Sequence, residues 1–143
     1  MTPQDRADRC AEIMWANDHA SKWLGISLMK TGLGTAELVL TVQSQHLNGH
    51  GICHGGFIFT LADSAFAFAC NSYNQITVAQ ESTITFLAPS NLGEVLTATA
   101  IEMLRTGRSG VYDVTVTGTD GRKIALFRGL SRTIKGKHFD ENQ

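Results

Sequence analysis

The chain has 143 residues, 43% of them hydrophobic, which suits one domain with a proper core. Lys+Arg total 12 against 13 Asp+Glu, so the strongly basic profile of a general nucleic-acid binder is excluded. No apolar run reaches the roughly 18 residues of a membrane span without meeting an acid, and the start, "MTPQDRADRCAEIMWAND", lacks the basic-then-apolar order of a signal peptide. Three cysteines with no CxxC spacing fit a reduced, cytoplasmic protein.

In chain order, residues 3 to 23 carry a helical pattern, with Pro3 placed for a first turn and Cys10, Ile13, Met14 and Trp23 on an apolar stripe. Gly25 stops that helix. A short strand over 26–31 and the turn "KTGLG" lead into "TAELVLTV", where Ala36, Leu38, Leu40 and Val42 alternate onto one face. A Gly-rich segment, 48–56, opens a very apolar helix over 56–72. Four strands follow, at 76–87, 94–104, 110–118 and 123–134, separated by Pro89 with Gly93, by "TGRSG" and by "TDG". Residues 135–143, "KGKHFDENQ" from Gly136's neighbour onward, read as a flexible tail on a single domain spanning 1–143, with the N-terminal helix inside 1–25.

Strands joined by short turns imply an antiparallel sheet. A helix apolar nearly all round must be wrapped by other elements. The expected fold is α+β, a hotdog layout with the sheet curled around the central helix.

Charge is unevenly spread. Residues 1–104 hold four basic and nine acidic side chains, whereas 105–137 hold eight basic and two acidic. A basic stretch of that kind attracts a phosphate-bearing ligand, although strands also put charges on their wet face. No aromatic platforms interleave it, which argues against single-stranded nucleic acid.

The chemistry concentrates in "HGICHGGFIFTLADSAFAFAC", residues 50–70. Gly55 and Gly56 let a ligand approach a helix start whose first N–H groups lack internal partners, a place for an oxyanion. A tight strand-to-helix turn needs glycine too. Asp63 is one acid in an apolar helix with no basic residue within a turn, so it is either tied to Thr60 or Ser64 or lines a cleft as base or nucleophile. It stands eight residues beyond Gly55, about 12 Å along a helix. One chain's Gly55 and Asp63 therefore cannot serve one carbonyl, but two chains related by a twofold axis can. Asn48 offers an amide beside the site or forms a turn with Gly49. His54 caps the helix or positions the carbonyl. His46, His50 and His54 fall four apart, yet Gly49 and Gly51 oppose the helix a metal site would need, so no metal is expected. Cys53 beside His54 is a small apolar filler.

The segment "LNGHGICHGGFIFTLADSAFAFACNS", supported by "GEVLTATA", "GVYDVTV" and "ALFRGLS", resembles the PaaI family of hotdog-fold acyl-CoA thioesterases. The resemblance implies hydrolysis of aryl-acetyl-CoA thioesters of the phenylacetyl or hydroxyphenylacetyl type, in phenylacetate catabolism and without a cofactor. It implies Gly55 on the thioester carbonyl, Asn48 and His54 beside it, and Asp63 from a neighbouring subunit as base or nucleophile. Gly56 would contact substrate, Phe57, Phe66, Phe86 and Leu87 either line the acyl pocket as substrate contacts or are plain core, and Arg108 first, then Arg105 and Lys123, would meet CoA phosphates. The implied assembly is a homodimer with shared sites, paired into a dimer of dimers, with neither nucleic acid nor membrane as partner. Where some relatives carry Ser or Thr on the strand after the helix, counting back from Pro89 finds Ala79 and Gln80. The alternatives are a hotdog dehydratase, which takes a proton from carbon, and a non-catalytic acyl-CoA-binding module, which needs no Asp63.

Overall fold

A computed structural model describes residues 1–142. The chain runs through helix α1 (Pro3–Asn17), helix α2 (His19–Leu24), strands β1 (Ser27–Gly32) and β2 (Thr35–Thr41), helix α3 (Gly55–Cys70), and strands β3 (Thr77–Phe86), β4 (Val95–Thr106), β5 (Ser109–Thr117) and β6 (Lys123–Thr133). A short 3-10 turn, Ser44–His46, precedes the glycine-rich loop.

The N-terminal helical pattern is split in two, where one helix was expected. Asp18 accepts from the Ser21 N–H at 2.9 Å and from the Ser21 hydroxyl at 2.7 Å, which caps a new helix and interrupts the first. Gly25 then closes α2 at φ +94°, a conformation glycine adopts without strain. Trp23 does not share the apolar stripe: it projects into solvent.

The six strands form one antiparallel sheet in the order β1-β2-β4-β5-β6-β3. Its inner face is built by alternation. Ala36, Leu38 and Leu40 from β2, Leu96, Ala98 and Ala100 from β4, Val114 and Val116 from β5, and Ala125 and Phe127 from β6 are all buried. The alanines let α3 approach closely, and α3 fills the trough with Ile58, Leu61, Ala62, Ala65, Phe66 and Ala69. Each large side chain buried here contributes about 1.5–3 kcal/mol. This is the expected hotdog layout. Phe66 is core rather than acyl-pocket lining: its ring packs on Tyr112 and Phe127, and Gly129 leaves the space it occupies.

Residues 135–142 are anchored, in contrast to the flexible tail expected; Gln143 lies outside the described residues. Asn74, buried and held at φ 60°, is the anchor. Its oxygen accepts from the His138 and Phe139 N–H groups, and its amide donates to Phe139 O and Glu141 Oε2. Arg6 of α1 grips Glu141 with bonds of 2.9–3.1 Å. The tail thus joins α1 to the turn after α3.

Candidate active site

The start of α3 is defined by His54, whose Nδ1 accepts from the Gly56 N–H at 2.9 Å. That bond makes His54 the cap of α3 and occupies the Gly56 N–H. The Gly55 N–H has no partner among the described residues. A single amide therefore stands free at the positive end of the helix. A Cβ on Gly55 would lie 2.9 Å from Cζ of Phe86, so glycine is required for the ring to close over it.

Gly55 opens on a cleft of about 530 Å³ that Asn48, Ile52, Cys53, Phe86 and Leu87 also line. Asn48 is oriented by its own loop. Its Oδ1 accepts from the His50 N–H at 2.9 Å, while its Nδ2 has no partner among the described residues and remains a donor. The turn thus uses the oxygen of the amide and not its nitrogen. Two donors, the Gly55 N–H and Asn48 Nδ2, belong to a cleft with otherwise apolar walls, an arrangement suited to a carbonyl oxygen gaining negative charge. Burial pushes the Cys53 thiol up, which keeps it an inert filler.

Asp63 is half-buried on α3, and burial alone raises its pKa above the ordinary 3.8. Neither neighbouring hydroxyl serves it. Thr60 donates to Gly56 O at 2.9 Å. Ser64 donates to Ser21 Oγ at 3.0 Å, because the Ser21 proton goes to Asp18. The carboxylate has no hydrogen-bond partner among the described residues, and it does not line its own chain's Gly55 cleft.

The basic candidates divide between the two ends of α3. Arg105 stacks 3.6 Å over the Tyr73 ring and donates to Gln75, beyond the C-terminus of α3, and Arg108 stands in the β4–β5 turn beside Thr133. Thr133 pairs with Thr77, at the opposite end of β3 from Phe86, a span of about 30 Å. Arg105 and Arg108 are therefore not gathered with Gly55 of the same chain. Lys123 is at the cleft's end, where Leu87 donates to Ile124 O. His46 spends both ring nitrogens on backbone partners, whereas His54 spends only Nδ1.

A bulge at Gln80 shifts the β3 alternation, so Ser82 shares the inward row with Ile84 and Phe86, opposite buried Gly129, Phe127 and Ala125.

The thioesterase-superfamily family model matches residues 50–125, a segment that runs from the glycine loop into β6. The acyl-coenzyme A thioesterase PaaI of Escherichia coli K12 is 45% identical over 126 residues, which cover 88% of this chain and 90% of that protein.

The chain belongs to the thioesterase superfamily.

The solved structure of the E. coli PaaI protein, from the phenylacetic acid degradation operon, superposes with a TM-score of 0.93 at 43% identity, covering 95% of this chain and 99% of that one. A Streptococcus mutans UA159 protein bound to acetyl-CoA superposes with a TM-score of 0.75 at 26% identity, over 79% of this chain and 90% of that one. Membership of the thioesterase superfamily makes the chain a thioester hydrolase.

Proposed function

We propose that the protein hydrolyses the thioester of aryl-acetyl-CoA compounds, of the phenylacetyl or hydroxyphenylacetyl type, to the free acid and CoA, in the cytoplasm and within phenylacetate catabolism. The observation that carries the reading is the unpartnered Gly55 N–H opening on the cleft. The thioester oxygen accepts from that N–H and from Asn48 Nδ2. Asp63 of a second copy draws a proton from water, whose oxygen adds to the carbonyl carbon. The C–S bond then breaks, and the sulfur leaves with the proton held by Asp63. Alternatively Asp63 attacks the carbonyl carbon directly and expels the CoA thiolate, leaving an anhydride that water hydrolyses to the same acid with Asp63 restored.

The composite site is supported by helix geometry and by β3, which is an edge strand of the sheet and offers one side of its backbone to a copy of itself. Two such pairs make the proposed dimer of dimers. Arg105 and Arg108 reach CoA phosphates only across that assembly, whereas Lys123 does so from the chain that holds the carbonyl. Free, buried Cys10, Cys53 and Cys70 fit a reducing compartment.

Release of thiol, trapped with a disulfide dye, should accompany acid formation one for one from phenylacetyl-CoA, with lower kcat/KM for benzoyl and straight-chain esters. Conversion of an enoyl- or hydroxyacyl-CoA without thiol release would assign the chain to the dehydratases instead. Arg108→Ala should raise KM for acyl-CoA several-fold with little change in kcat.

A further inference from the structure

Trp23 presents 82% of its surface to solvent, more than any other large apolar side chain among the described residues. The helix that carries it is firmly placed. Leu24 is buried, Ser21 is bonded to Ser64, and Lys22 turns away, its ammonium 5.6 Å over the Trp15 ring. The exposed indole is thus held on a fixed element.

A slot of about 200 Å³ lies against it, lined by Trp23, Leu24, Gln45, His46 and Phe57. No Asp, Glu, Lys or Arg among the described residues lines it. Buried His46 uses Nδ1 to accept from the Gln43 N–H and Nε2 to donate to Leu24 O, both at 2.9 Å, so it offers the slot only ring carbon. Phe57 meets the His46 ring edge-on at 5.5 Å between centroids. Gln45, exposed at the slot's rim, donates to Gln43 through its amide nitrogen. Such walls suit a flat apolar group, since a polar one would lose its hydration without replacement.

The slot and the carboxylate lie along the same helix, α3. Ser64, next to Asp63, is the residue to which α2 is bonded. Phe57 precedes Asp63 by six residues, about 9 Å along the helix.

We propose that this slot receives the aromatic ring of the acyl group, with Trp23 as the specificity-determining side chain, supplied by the same subunit that supplies Asp63. The inference rests on the thioesterase reading above and assigns the acyl end of the substrate, leaving the Gly55 cleft, with Phe86 and Leu87, to hold the thioester.

The test compares kcat/KM for phenylacetyl-CoA and acetyl-CoA in wild type, Trp23→Ala and Trp23→Phe. Trp23→Ala should lower the phenylacetyl-to-acetyl ratio by about tenfold or more, and Trp23→Phe should restore most of it. In a Trp15→Phe background Trp23 is the one remaining tryptophan of the two, and phenylacetate should shift its fluorescence. An unchanged ratio in Trp23→Ala, or an equal loss on both esters, overturns the proposal while the thioesterase reading stands. A changed oligomeric state with an unchanged ratio assigns Trp23 to a contact between copies and also overturns it. If wild type cleaves neither ester, the thioesterase reading falls and takes this proposal with it.

Discussion

Asp63 loses part of its hydration on α3 and receives no hydrogen bond in return among the described residues, so its ionised form destabilises the fold. Its pKa is raised in the folded state, which therefore holds the proton more tightly than the unfolded chain. Stability is greatest below the ordinary carboxylate pKa and falls as pH rises through the raised value. Asp63→Asn should lower kcat by about two to four orders of magnitude and raise Tm by a few degrees at neutral pH. Calorimetry should show that gain shrinking as pH falls through the raised value and gone once pH is below the ordinary carboxylate pKa. A variant with full turnover would remove Asp63 from the reaction. Gly55 makes the complementary case: the Gly55→Ala methyl meets the Phe86 ring at 2.9 Å, so kcat/KM and Tm should both drop. Adding Phe86→Ala should recover part of the lost Tm, a coupling that a double-mutant cycle measures.

At the scale of elements, α3 is secured at both ends by side chains on backbone groups. His54 closes one N–H at its start, and Asn71 joins its last turn to β3 by accepting from the Thr77 N–H and donating to Thr77 O. His138 of the tail reaches the same Asn71 oxygen at 2.9 Å. His54→Ala should cost about 1 kcal/mol, the usual value of a cap. The tail has its own pH signature. Arg6 above all, and then Asn74, hold the Glu141 carboxyl down at about 2, against an ordinary 4.5. A depressed carboxylate contributes stability above its unfolded pKa and loses it as pH falls through the folded one. Glu141→Gln should therefore lower Tm at neutral pH, with the difference from wild type closing between pH 4.5 and 2. A Tm difference that persists at pH 2 would place the effect elsewhere.

Over the whole molecule, the free Gly55 N–H and the unpaired Asp63 carboxylate are spaced along one rigid helix and cannot converge within a chain. Mixing Asp63→Asn chains with chains blocked at Gly55 by Gly55→Val tests whether two copies complete the site. In an equal mixture half the dimers are hybrids, each with one intact site, so about a quarter of wild-type activity should return. No recovery in hybrids shown by native mass spectrometry would return both groups to separate duties.

The sequence by itself determined the features that repeat or interrupt locally. The alternation of Ala36, Leu38 and Leu40, the apolar helix behind two glycines and the lone acid within it were all legible, because strand period, helix period and glycine placement act over a few residues. Tertiary structure alone decided the rest. Which glycine N–H stays free depends on a histidine ring, the inward place of Ser82 on a one-residue bulge, and the docking of the tail on Asn74 and Arg6 meeting Glu141 from far along the chain. Those contacts are made between segments whose local patterns carry no record of one another, so only the folded chain brings them into register.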